Sequence, residues 1–167
     1  MSEIKAENNQ YLTFNLDGEV FAIEVSKVRE ILDHTELTRI PQMPTFMCGV
    51  INLRGSVVPV VDMRIKFGLP TIDETVDTCI IIVEVCIDNE TSVLGALVDS
   101  VQEVIDIDGD QIEEPPRMGS RMNSDFLHGM GKHDERFIMI LNIDKVFSSD
   151  ELVLVQQRNA PAEEDIG

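Results

Sequence analysis

A repeat with a fixed offset constrains this chain more than any other feature. Phe46-Met47-Cys48-Gly49-Val50 is echoed by Phe126-Leu127-His128-Gly129-Met130, and Val60-Val61-Asp62-Met63 by Ile140-Leu141-Asn142-Ile143. Both echoes, and that of Phe67 by Phe147, share an offset of 80 residues (126 − 46 and 147 − 67). Upstream, Val25-Ser26-Lys27-Val28-Arg29-Glu30-Ile31 resembles Val98-Asp99-Ser100-Val101-Gln102-Glu103-Val104 at an offset of 73 (98 − 25). A module repeated once in this way predicts two similar lobes. Each is too small to bury a full core alone, so the lobes are expected to share apolar surface.

The repeated unit reads as β. Tyr11–Leu16 alternates, with Leu12, Phe14 and Leu16 on one face, and Asp17-Gly18 supplies a hairpin turn. Further strands are predicted at Val20–Val25, Val28–Leu32, Gly49–Leu53, Ser56–Val61, Cys79–Ile87, Val93–Val98, Glu103–Ile107 and Phe137–Ile143. Short strands with turn signals between them indicate barrels or a sandwich. Helix signals are few. Asp62–Phe67 and Asn123–His128 each fit about one turn, and Ser148-Ser149-Asp150-Glu151 fits a capping box ahead of a short C-terminal helix carrying Leu152 and Val155. Met1–Asn9, the acidic bridge Pro70–Asp77 and the acidic tail Arg158–Gly167 are expected to be poorly anchored.

Composition excludes several function classes. The 167 residues hold 13 Lys+Arg against 31 Asp+Glu, a formal charge of −18, which repels nucleic-acid and anionic-lipid phosphates. A hydrophobic fraction of 43% is enough for a packed core. Three cysteines make no disulfide framework, MSEIKAENNQ lacks a signal-peptide core, and no run nears the ~18 apolar residues of a membrane helix. A reducing, cytoplasmic setting is expected.

Linear signals of catalysis are missing. G-x-S-x-G, H-E-x-x-H and the Walker loop do not occur. Gly129-Met130-Gly131-Lys132 lacks the spacing and the Ser or Thr of a phosphate loop. Asp106-Ile107-Asp108-Gly109-Asp110 puts glycine fourth instead of sixth, with Arg117 where an EF-hand needs glutamate, so it reads as a solvated turn. His34, His128 and His133 have no metal-ligand spacing. Cys48, Cys79 and Cys86 sit in apolar runs and read as packing. No enzyme activity, metal or cofactor is expected. A small barrel binding a ligand or oligonucleotide is the alternative, but one Tyr and no Trp leave it without stacking platforms.

The densest unusual segment is Gly49-Val50-Ile51-Asn52-Leu53-Arg54-Gly55, followed by Pro59-Val60-Val61-Asp62-Met63-Arg64. Arg54 lies beside a turn in an acidic protein and needs a carboxylate or carbonyl partner if covered; Glu30 is the candidate. This segment resembles the signature of the CheW family of bacterial chemotaxis coupling proteins. The likeness runs from about Tyr11 to Val155 and includes Gly18–Ile23, Val28-Arg29-Glu30-Ile31, Gly95-Ala96-Leu97-Val98-Asp99 and Phe126–Gly129. The same module occurs in the chemotaxis kinase CheA and in CheV; with no room here for a kinase or receiver domain, the stand-alone coupler is expected.

The resemblance implies a mostly β fold of two intertwined five-stranded barrel lobes, SH3-like or OB-like. Residues 10–157 would form the domain, with one lobe at about 18–69, the other at about 78–147, and terminal segments packing across. It implies a non-catalytic adaptor, monomeric when isolated, joining chemoreceptor helical tips to the CheA regulatory domain in membrane-associated arrays, without itself inserting in the membrane. By position, Val28, Glu30, Gly49, Arg54, Val98 and Val101 are the receptor-binding candidates. Val57, Val58 and Leu69 are the kinase-binding candidates. The contact expected is helix-in-groove.

Overall fold

The computed structural model describes residues 10–33, 37–39, 41, 45–70, 73–87, 89–114 and 126–146. Ten strands run through them: β1 (Gln10–Leu16), β2 (Glu19–Glu24), β3 (Val28–Leu32), β4 (Met47–Leu53), β5 (Ser56–Asp62), β6 (Cys79–Ile87), β7 (Glu90–Val98), β8 (Ser100–Asp106), β9 (Leu127–His133) and β10 (Arg136–Leu141). One-turn helices α1 (Met63–Lys66) and α2 (Ile143–Val146) follow β5 and β10. The strands form two five-stranded sheets, ordered β8-β1-β2-β10-β9 and β3-β6-β7-β5-β4. The architecture is therefore the mostly β, two-lobed one expected.

The duplication is visible bond by bond. Gly49 faces Val60 in the β4–β5 pair and Gly129 faces Ile140 in the β9–β10 pair, the same register 80 residues on. The Asp62 amide donates to Phe46 O at 2.7 Å, and the Asn142 amide to Phe126 O at 2.7 Å. Asp62 caps α1 by accepting from the Arg64 and Ile65 amides, and Asn142 Oδ1 accepts from the Asp144 amide at the start of α2. A side-chain oxygen is needed there because the first amides of a helix have no partner inside it.

The lobes trade strands. The second sheet is built from residues 28–98, while the first combines 10–24 with 100–141. The division at 18–69 and 78–147 is thus corrected: β3–β5 pair with β6–β7 instead of β1–β2. Two other expectations also change. Of the helical turn expected at Asn123–His128, residues 123–125 lie outside the described residues, and Leu127 and His128 begin β9; β10 stops at Leu141 so that Ile143 opens α2. The capping box at Ser148, the C-terminal helix, the N-terminal nine residues and the acidic tail lie outside the described residues.

Alternation along each strand divides the apolar side chains between three clusters. Leu12, Phe14, Leu16, Phe21 and Ile23 of the first sheet meet Val61, Ile81, Val83, Val85, Leu94 and Val98 of the second in one core shared across the seam. The opposite faces carry Tyr11, Val20, Ala22, Ile105 and Ile138 inside the first lobe, and Ile51, Val58, Val60, Ile80 and Ile82 inside the second. Burial on both faces explains why β6 reads Cys-Ile-Ile-Ile-Val without polar alternation. Each fully buried Ile, Val or Phe contributes about 1.5–3 kcal/mol.

Candidate functional site

The β4–β5 turn positions the site. Arg54 and Gly55 both have positive φ, 54° and 89°, as a two-residue hairpin turn of the I′ kind demands, and Asn52 Oδ1 accepts from the Gly55 amide at 2.9 Å. The turn throws the Arg54 guanidinium towards β3, where Nη1 donates to Glu30 Oε1 at 2.8 Å. The hydrogen bond to Glu30, then its charge, raises the Arg54 pKa, so the side chain stays charged. The pair spans the two edge strands of the second sheet, joining β3 to the β4–β5 hairpin.

Beside this pair lies a groove of about 540 Å³ lined by Glu30, Arg54, Val57 and Val58, with Leu53, Ile82 and Val93 among its further walls. The first sheet carries its counterpart, about 230 Å³, lined by Glu103, Asp134, Ile138 and Val20, where the repeat offsets put the equivalents of Glu30, Arg54, Val58 and Val93. The turn is kept, with Asp134 at φ 54° and Glu135 at 63°. Its chemistry is not: two acids stand where the second sheet has an ion pair. Among the described residues, four of the exposed large apolar residues match too; the fifth, Val76, lies in the bridge between β5 and β6. Ile31 (42%) answers to Val104 (51%), and Val57 (50%) to Phe137 (60%). Each lobe thus presents two exposed apolar residues at equivalent positions.

The structure brings four of the sequence candidates, Glu30, Arg54, Val57 and Val58, to one groove, so receptor and kinase candidates are not on separate faces. Val58 is buried and forms its floor. Val28 is half-buried on β3 against the shared core, and Val101 occupies the equivalent place on β8. Val98 is inside the shared core and offers no surface to a partner. Gly49 is buried as well. At φ +151° a Cβ would collide with Thr38 O, and Gly129 has the same duty against Glu113 O, 2.8 Å from where its Cβ would stand. Glycine there lets the 37–39 and 112–114 segments pass close to β4 and β9. Leu69 lines a different concavity, at the seam, with Leu16, Phe21, Phe67, Phe126 and Met139.

Sequence reasoning passed over Ile31, Val104 and Phe137; the offset that matched Phe137 to Val57 was the available signal. Burial pushes the Cys48 thiol up to about 12, with the Asp62 charge adding to it, so Cys48 stays a thiol at neutral pH. Among the described residues no group of three or more His, Cys, Asp or Glu is placed to hold a metal ion. Among the same residues no helix is long and apolar enough to cross a membrane.

The family model of the CheW-like domain matches residues 10–151. The chain belongs to the CheW-like family. It is 34% identical over 146 residues to the chemotaxis protein CheW of Klebsiella aerogenes, covering 87% of this chain and 86% of that one. Against the CheW of Helicobacter pylori the identity is 31%, over 87% of this chain and 88% of its relative. The crystal structure of the scaffolding protein TtCheW from Thermoanaerobacter tengcongensis superposes with a TM-score of 0.75 at 33% identity, covering 86% of this chain and 95% of that one. The role this CheW-like chain carries is that of a chemotaxis adaptor, and the oligonucleotide-binding alternative is not favoured.

Proposed function

We propose that this chain couples the helical cytoplasmic tips of chemoreceptors to the regulatory domain of the histidine kinase CheA, catalysing nothing itself. The observation that carries the reading is the groove at the Glu30–Arg54 pair, open, walled by exposed Val57 and floored by Val58. An apolar wall beside an ion pair suits a protein partner: the apolar part gives affinity and the charges set register. In this reading Val28, Glu30, Arg54 and Val101 contact the receptor, which meets the kinase along the one groove that Glu30, Arg54, Val57 and Val58 line together, with Gly49 and Val98 shaping the surface from behind. Val57 and Leu69 face the kinase, and Val58 supports Val57 from below. The protein is cytoplasmic, monomeric when isolated, and recruited to receptor arrays by these contacts.

Holding two partners together raises the effective concentration of each for the other, so modest contacts suffice for a stable assembly. Receptor ligands then bias the kinase through shared binding free energy. Reconstitution tests this: a receptor fragment and CheA are mixed with and without the chain, and kinase autophosphorylation and co-sedimentation are followed. The expected result is receptor-dependent kinase control only when the chain is present. Unchanged activity together with no co-sedimentation would refute it.

A further inference from the structure

The chain crosses between the two sheets at two equivalent places. It leaves β2 for β3 through the 3-10 turn Val25–Lys27, and leaves β7 for β8 at Asp99. Each crossing is gripped by a one-turn helix, and the gripping residues, Arg64 and Asp144, are equivalent in the repeat (144 − 64 = 80). On α1, Arg64 Nε donates to Asp99 Oδ1 at 2.8 Å and Nη2 to Asp99 Oδ2 at 2.6 Å. Its Nη1 donates to Pro70 O at 2.6 Å and lies 3.6 Å from Asp17 Oδ1 in the β1–β2 turn. On α2, Asp144 Oδ2 accepts from Lys27 Nζ at 2.9 Å, and Oδ1 accepts from the Cys86 amide of β6 at 2.8 Å. Both clasps therefore tie one sheet to the other, with the charges inverted between them.

They are not equal. Arg64 and Asp99 side chains are 9% and 21% exposed and meet through two hydrogen bonds, while Lys27 and Asp144 are 27% and 28% exposed and meet through one. A bidentate, better covered guanidinium–carboxylate pair resists both competition from water and screening more than a single, partly buried ammonium contact does. We propose that Arg64–Asp99 is a fixed pivot between the lobes and Lys27–Asp144 a latch, so that the seam opens on the Lys27 side. Val28 follows Lys27 directly and packs on the shared core beside Val83, so opening moves Val28 and the β3 edge. Its counterpart Val101 sits two residues beyond the pivot and stays put. The inference concerns the free chain and stands whether or not a receptor docks at Val28.

Hydrogen exchange on the full chain tests it. Lys27→Met keeps the aliphatic stem and removes the charge, and Asp144→Asn keeps an acceptor for the Cys86 amide. Each is expected to speed exchange in Val28–Leu32 and Val83–Ile87 by about fivefold or more, leaving Tyr11–Leu16 and Val101–Ile105 within about twofold. The double variant is expected to do no more than either single one. Raising salt from roughly 0.05 to 0.5 M is expected to reproduce the effect in the unmodified chain and to change neither variant further. A rise spread evenly over both seams would mean a merely structural pair and would overturn the proposal. So would the Val101 seam exchanging first, or exchange indifferent to salt.

Discussion

Phe67 is the side chain through which the second lobe reaches into the first, and removing it measures how far the lobes depend on each other. It follows α1 and is half-buried; its ring stacks on Phe21 of β2 at 5.8 Å and on Phe126 beside β9 at 5.0 Å, continuing a column that starts at Phe14. Two stacked pairs contribute roughly 0.5–1.5 kcal/mol each beyond burial. Half of a full Phe burial adds about 1–1.5 kcal/mol. Phe67→Ala is therefore expected to cost about 3 kcal/mol, or about 6–12 °C in melting temperature for a chain of this size. Phe67→Leu keeps most of the burial and loses the stacking, so about 2 kcal/mol is expected. The assay is urea unfolding followed by far-ultraviolet circular dichroism, with both variants beside the unmodified chain. A loss under about 1 kcal/mol for Phe67→Ala would mean that the seam is sealed without the ring, contrary to this expectation.

Three further outcomes follow from the geometry. Burial pushes the Asp99 carboxyl up, but the Arg64 hydrogen bonds, the Asp17 amide and the Arg64 charge outweigh it and hold it below its ordinary 3.8. A depressed carboxyl contributes stability that is full above the ordinary value and lost as pH falls through the folded one, so Asp99→Asn is expected to flatten the acid limb of the stability–pH curve below about pH 4; an unchanged limb would count against the pair. Gly49→Ala and Gly129→Ala are each expected to cost more than about 2 kcal/mol in denaturant melts, whereas Gly109→Ala, with nothing within 4 Å of its Cβ, stays within about 0.5 kcal/mol. In iodoacetamide labelling read by mass spectrometry at neutral pH, exposed Cys86 is expected to react before Cys48; labelling of Cys48 first would contradict its raised pKa.

Much of this was legible in the sequence, for reasons specific to particular segments. Nine strands announce themselves through β-branched runs or apolar alternation. Leu127-His128-Gly129-Met130-Gly131-Lys132-His133 does not, because two glycines and three basic or imidazole side chains hide a strand that exists through its pairing with β10. Its alignment with Met47–Leu53 at the repeat offset was the clue. The offset also established which residues are equivalent, but not which sheet each strand joins. A half reads the same whether β3–β5 close on their own β1–β2 or on the other half's β6–β7, so the strand exchange appears only in the pairing. Glu30 as the partner of Arg54 was readable, since one cation beside a turn in an acidic chain needs a carboxylate. Exposure was not: Val98 and Gly49 carry the family pattern, yet one fills the shared core and the other makes room for a passing backbone.

The claim that this chain couples two proteins through the surface around Glu30 and Arg54 is tested most directly by nuclear magnetic resonance on the isotope-labelled chain. A receptor-tip fragment and the CheA regulatory domain are added one at a time, and the displaced amide signals are mapped. The receptor fragment is expected to displace signals at Val28, Glu30 and Arg54 and the kinase domain those at Val57 and Leu69, with both sets lost or weakened in Arg54→Ala and Val57→Asp respectively. Binding of both partners with the Glu30–Arg54 groove left silent would contradict it.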